Sequence, residues 1–143
     1  MNNSKLFTAN LIIILFLDQL SKFFARKYLL NNDFVMTSFF KFSLRFNTGG
    51  VWGFFQDNNL FFMILTLIVV GILIFYRHEF LSSQVSAIFY ALVFSGALGN
   101  FIDRIIFSKV TDFISIGWWP LFNIADSAIS VGIIGFLVYS LKK

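Results

Sequence analysis

Apolar runs without charge fill most of this chain, and short polar stretches separate them. Each run approaches the roughly 20 residues that an α-helix needs to cross a bilayer. The first begins near Leu6, passes through a LIIILFL block and meets a charge at Asp18. Continued to residue 28, it carries Asp18, Lys22, Arg26 and Lys27 toward its far end. Residues 58–76 hold no charge and form the cleanest span; residues 80–102 form the third. Residues 121–141 form the fourth, with Asp126 in its first turns. Lys5 ahead of the first block imitates a secretory signal, but no clear small-residue cleavage site precedes Asp18, so an uncleaved anchor is expected. Four membrane helices in one embedded domain of residues 1–143 follow, with both termini on one side.

Residues 31–57 differ in kind. Phe39-Phe40-Lys41-Phe42-Ser43-Leu44-Arg45-Phe46 partly alternates apolar with polar side chains, which suits short strands. Asn47-Thr48-Gly49-Gly50 then signals a turn. The pattern predicts a small amphipathic sheet at the membrane surface, between the first and second helices. The fold class is therefore mainly α, integral to the membrane, with an interfacial sheet.

Composition narrows the chemistry. Hydrophobic residues make up 58% of the 143 and charged residues 13%, against roughly 25% charged in an average soluble domain. There are too few polar side chains to cover a water-facing surface. The net charge of +4 comes from scattered cations without a basic stripe, so lipid headgroups fit better than nucleic acid. Without Cys there are no thiol nucleophiles and no Cys-ligated metals, and one His (His78) cannot write a two-His metal helix. No cofactor is expected. The 22 phenylalanines read as lipid-facing bulk, and Trp118-Trp119-Pro120 as an interfacial belt.

Sidedness is ambiguous from charge. Lys5, Arg77, Lys142 and Lys143 fall on the termini side, whereas Lys22, Arg26, Lys27, Lys41, Arg45, Arg104 and Lys109 fall toward the other. Read literally, the positive-inside rule puts the termini outside. Several of those cations stand beside carboxylates, however, and serve a site rather than topology.

Asp18, Asp103, Asp112 and Asp126 border or enter apolar segments. An Asp at a helix centre costs roughly 2.5–3.5 kcal/mol on insertion scales, so intramembrane acids are functional candidates. All four fall toward the end of the bundle away from the termini. Two neighbouring carboxylates resist joint ionisation, leaving one as acid and one as base. Such a pair can activate water against an amide without metal, Cys or His. Asn100, Asp103 and Arg104 share a helix face at i, i+3, i+4, and Asn123 and Asp126 repeat the i, i+3 spacing. Asp18–Lys22 reads as a structural ion pair, as does Asp103–Arg104. Asp112 and Asp126 lack a cation on their own helix faces and are the better candidates for chemistry. A Ser21–Lys22 pair fails because adjacent helical residues point roughly 100° apart. A Ser–His pair fails because His78 sits at the opposite end. Two rivals remain: a small cation transporter or channel subunit, whose acids would spread across the membrane depth, and a structural adaptor, which has no use for repeated Asn-x-x-Asp spacing.

The strings DQLSK (18–22), NTGGVWG (47–53), GALGNFIDR (96–104), VTDFI (110–114) and FNIADSAI (122–129) resemble the ordered motifs of signal peptidase II, the bacterial lipoprotein signal peptidase. The resemblance implies an intramembrane aspartyl protease with Asp112 and Asp126 as its dyad. It maps the supporting residues onto Asp18, Lys22, Asn47, Gly49, Asn100, Asp103, Arg104, Asn123 and Ala125. It further implies cleavage of a diacylglyceryl-modified prolipoprotein before the lipidated Cys, with substrate arriving laterally from membrane lipid. Inhibition by globomycin-type compounds, a monomer, and a bacterial inner membrane with cytoplasmic termini and an outward-facing site are also implied. Two departures stand out. Gly50-Val51 replaces a usual pair of alanines, loosening the surface sheet. The interval from position 112 to 126, 14 residues, is short and trims the loop over the site.

Overall fold

The computed structural model describes residues 2–50 and 55–142. Val51, one of the two departing residues, and Trp52 and Gly53 of the same motif lie outside them. In chain order the elements are α1 (Asn3–Tyr28), β1 (Phe34–Val35), β2 (Phe40–Asn47), α2 (Asn59–Phe75), α3 (Arg77–Phe80), α4 (Gln84–Phe107), β3 (Val110–Ile116) and α5 (Ile124–Leu141). Helices α1, α4 and α5 are long and apolar enough to cross a membrane, and α2 is a shorter apolar helix of 17 residues. The run 80–102 is displaced in the structure. Its first residue belongs to the single turn α3, and α4 starts at a Ser83 N-cap and continues to Phe107.

The bundle packs inside out relative to a soluble protein. Most buried positions are small or polar: Ala25, Ala87, Ala91, Ala97, Ala125 and Ala128 lie inside with Asp18, Lys22, Asp103 and Asn123, beside a few larger ones such as Tyr90 and Phe113. Large apolar side chains such as Phe16, Leu60, Ile68 and Leu137 point outward. Lipid is as apolar as leucine, so close backbone approach and polar contacts hold membrane helices together. Gly96 and Gly99 make that approach possible. A Cβ on Gly96 would run into the Ala125 carbonyl, and one on Gly99 would stand 2.5 Å from an Asp18 carboxylate oxygen.

The sheet holds three antiparallel strands in the order β1-β2-β3. Only two of them come from residues 31–57; β3 lies between α4 and α5 and carries Asp112. The sheet expected between the first two helices is thus completed from 65 residues further along the chain, counted from Asn47 to Asp112. The VTDFISI string does not alternate strictly, and longer apolar runs on either side mask it. Ser108, in the left-handed region at φ +58°, turns the chain out of α4 and into β3 within two residues. Register shifts between Phe42 and Arg45, so that Phe42 faces Ile114 and Arg45 faces Asp112. That bulge inserts one residue into β2 and exchanges the faces of everything after it.

Candidate active site

The C-terminal ends of α1 and α4, the N-terminus of α5 and the strand pair β2–β3 meet at one end of the bundle. There the chain gathers four carboxylates, three of them buried and Asp126 half-buried. Asp18, Asp103 and Asp112 are each no more than 3% exposed, and Asp126 occupies the first turn of α5.

Asp112 and Asp126 are held by three asparagines whose amides are oriented by donor-only partners. Asn100 must turn its oxygen to the Lys22 ammonium, 3.0 Å away, because lysine has no acceptor. Its NH2 then donates to Asp126 Oδ1 at 2.8 Å. Asn123 accepts the Asp126 backbone N–H at 2.9 Å as the N-cap of α5, so its NH2 reaches Asp112 Oδ1 at 2.8 Å. Asn47 accepts the Gly49 N–H at 2.9 Å and donates to Asp112 Oδ2 at 3.1 Å. The fourth oxygen, Asp126 Oδ2, accepts the Asn123 backbone N–H at 3.1 Å and closes a capping box. Asn123 therefore touches both acids. Burial and the neighbouring Asp126 charge push Asp112 up to about 7, against the pull of the Asn47 and Asn123 amides and the Lys22 charge. Among the described residues no cation lies within ion-pair distance of either acid.

The other two acids tie elements of the fold together. Asp18 pairs with Lys22 at 2.9 Å and accepts the Ala125 N–H at 2.9 Å, which ties α1 to the positive end of α5. Ala125 must be small because its methyl and carbonyl pack against Gly99 and Gly96. Asp103 departs from the expected pairing. Adjacent helical residues diverge, and Asp103 turns toward Lys22 (3.7 Å), Arg26 (3.6 Å) and the Thr111 N–H (2.9 Å). It pins the start of β3 one residue before Asp112. Arg104 instead reaches the Gly49 carbonyl at 2.9 Å and the Asn59 side chain at 3.4 Å, with Phe62 under its guanidinium. It fastens the turn after β2 to α4 and α2.

All eleven residues singled out from sequence thus gather at one end of the fold. Sequence reasoning missed Arg26, Thr111, Gln19 and Asn59. Arg26 donates to the Thr111 hydroxyl at 2.8 Å, and Gln19 donates to Asp18 and the Gly99 carbonyl, both at 3.0 Å. Arg26 lay four residues beyond Lys22 on the same face of α1, a spacing that could have identified it. The Ser21 hydroxyl donates to the Asp18 carbonyl at 2.8 Å rather than meeting Lys22.

A membrane bundle that closes around two amide-held aspartates has the architecture of an intramembrane aspartyl enzyme. A family model described as signal peptidase (SPase) II matches residues 10–142, and the chain belongs to that family, a family of membrane peptidases. The chain is 38% identical over 140 residues to a lipoprotein signal peptidase of Thermodesulfovibrio yellowstonii, covering 94% of this chain and 93% of that one. It is 37% identical over 150 residues to a lipoprotein signal peptidase of Syntrophus aciditrophicus, covering 96% and 92%. Two solved bacterial membrane enzyme structures superpose on it. One has a TM-score of 0.86 at 29% identity over 96% of this chain and 93% of the other. The second has a TM-score of 0.83 at 30% identity over 95% and 87%.

Proposed function

We propose that the chain is a single membrane-embedded endopeptidase domain that removes signal peptides from diacylglyceryl-modified prolipoproteins, cutting before the lipidated Cys, with Asp112 and Asp126 as the catalytic pair. The observation that carries this reading is the set of oriented amides on four carboxylate oxygens, without a cation to hold both acids ionised. One shared proton fits that environment, and the pair titrates as a unit. In the microstate with the shared proton on Asp112, whose carboxyl burial pushes up to about 7, Asp126 is the base. Asp126 takes a proton from water, whose oxygen adds to the scissile carbonyl carbon while Asp112 protonates the carbonyl oxygen. The tetrahedral adduct then loses the Cys amine, which takes its proton from Asp126, while one hydroxyl of the adduct returns its proton to Asp112, and the signal peptide leaves as a carboxylic acid. Asn47, Asn100 and Asn123 fix the carboxylates; Asp18, Lys22, Gly49, Asp103, Arg104 and Ala125 fix the elements that carry them.

The transporter reading is not favoured, because the four acids share one hydrogen-bonded end instead of spreading across the membrane depth. The protein acts as a monomer in a bacterial inner membrane, its termini cytoplasmic and its site at the outer face. Lipid chains position the amide bond on the amino side of the Cys against the pair, raising effective molarity, and globomycin-type inhibitors occupy the space between the two aspartates. The test compares a diacylglyceryl-Cys propeptide with the same peptide bearing a free thiol. Cleavage of the lipidated peptide alone is expected; equal cleavage of both removes the lipoprotein assignment.

A further inference from the structure

Arg45 stands directly across the β2–β3 ladder from Asp112. Residues opposed in this way project from the same sheet face, with Cβ atoms roughly 5 Å apart. Asn47, two residues on and so on the same face, reaches Asp112 Oδ2 at 3.1 Å, which fixes the assignment. The bulge before Arg45 produces this placement. Strict alternation would put Arg45 with Lys41, whereas Lys41 pairs with Ser115, three residues from Asp112 and on the other face.

The remaining cations at this end are engaged. Lys22 and Arg26 are bound into the Asp18–Asp103 cluster, Lys41 pairs with Asp33 at 2.6 Å, and Arg104 holds Gly49. Lys109 lies over the Phe46 ring and Lys27 over Tyr28. Arg45 is exposed and, among the described residues, has no such partner. It does not collapse onto Asp112, whose two oxygens already accept amides from Asn123 and Asn47.

We infer that Arg45 is a substrate-binding residue, whose guanidinium donates to peptide carbonyl oxygens beside the scissile bond. The inference rests on the peptidase reading above. A planar fork of donors suits consecutive carbonyl oxygens on an extended chain, and a lysine point charge suits them less. A guanidinium so placed binds ground state and transition state alike, so it sets KM more than kcat.

The test is steady-state cleavage of the lipidated propeptide in detergent by wild type, Arg45→Gln, Arg45→Lys and Lys41→Gln, with thermal unfolding to establish that each variant is folded. Arg45→Gln should raise KM about tenfold, the loss of one charge-assisted hydrogen bond, with kcat changed little and the pH profile unmoved. Arg45→Lys should fall between, which keeps the test decisive should the Gln variant fold poorly. Lys41→Gln should keep the wild-type KM. Wild-type KM in both Arg45 variants overturns the inference. So does an equal rise in Lys41→Gln, which would reflect bulk surface charge, and so does a shifted pH profile at unchanged KM, which would mean that Arg45 acts through Asp112. A wild-type protein that cuts nothing removes the peptidase reading itself, whereas active wild type with unchanged Arg45 variants removes this inference alone.

Discussion

Oriented amides hold both candidate aspartates, and the role of each is testable. Asp112→Asn and Asp126→Asn each delete an acid or a base, and an amide performs neither task near neutral pH. Each should lower cleavage by at least about a hundredfold while the protein still folds, since Asn preserves shape and keeps one of the two accepted hydrogen bonds, its NH2 facing a donor in place of the other. A variant that retains a tenth of the activity would remove that aspartate from the chemistry. The pH dependence follows from Asp112, raised to about 7. Its proton is present below that pH and lost above it, so the general-acid limb should fall on the alkaline side near 7. The Asn47 amide stabilises the ionised form and so lowers this value. Asn47→Ala should therefore move the alkaline limb upward, and a downward move in the kcat/KM profile would reverse the sign of the argument. At this scale the sequence was legible for identity more than for partnership. Asp112 and Asp126 stood out because neither had a cation at helical spacing along the chain, although Asp112 proves to lie on a strand. The Asp103–Arg104 pair failed because adjacency along a helix is not adjacency in space.

Among the elements, the site depends on two joints, both made by groups too short or too polar for an ordinary core. Gly99 lets Asp18 lie against α4 and cap α5 through Ala125. Gly99→Ala adds a methyl 2.5 Å from the Asp18 carboxylate, and overpacking of this kind costs about 1–3 kcal/mol. Denaturant unfolding in detergent should register that loss, and a neutral result would mean that the α1–α4 contact yields freely. Asp103 is the second joint, holding the Thr111 N–H while facing Lys22 and Arg26. Asp103→Ala leaves a buried lysine with half its counter-charge and should cost about 3–5 kcal/mol, read as a lower yield of folded protein. An Asp103→Ala protein that accumulates normally but is inert would shift Asp103 from structure to chemistry. The helices were readable because lipid demands long uninterrupted apolar runs. The strand Val110–Ile116 and the bulge in β2 were not, because pairing partners distant in sequence decide them.

For the whole molecule, topology is the property that the fold changes most. Seven cations lie toward the site end and four toward the termini, which read literally places the termini outside. The structure weakens that vote. Asn3 donates to the Leu81 carbonyl and Tyr139 to Ser83, so the first turn of α1 and the last of α5 share the end of the bundle where α4 begins. At the opposite end Lys22 and Arg26 face buried carboxylates, Arg104 is spent on Gly49, and Lys41 is neutralised by Asp33. Cations held in such contacts are poor reporters of orientation, since loop charge orients a helix only where it is free to be retained in the cytoplasm. With those four set aside, Lys27, Arg45 and Lys109 remain against Lys5, Arg77, Lys142 and Lys143, and the balance tips toward cytoplasmic termini. A reporter fused after Lys143 should be active in the cytoplasm, and a cysteine introduced at exposed Phe39 should be labelled from outside in spheroplasts. Substituting the engaged cations should leave that orientation unchanged, whereas replacing Lys142 and Lys143 with Gln should weaken it. An external reporter on the unaltered chain would set the buried aspartates on the cytoplasmic side, out of reach of an exported prolipoprotein, and would overturn the assignment of membrane sidedness.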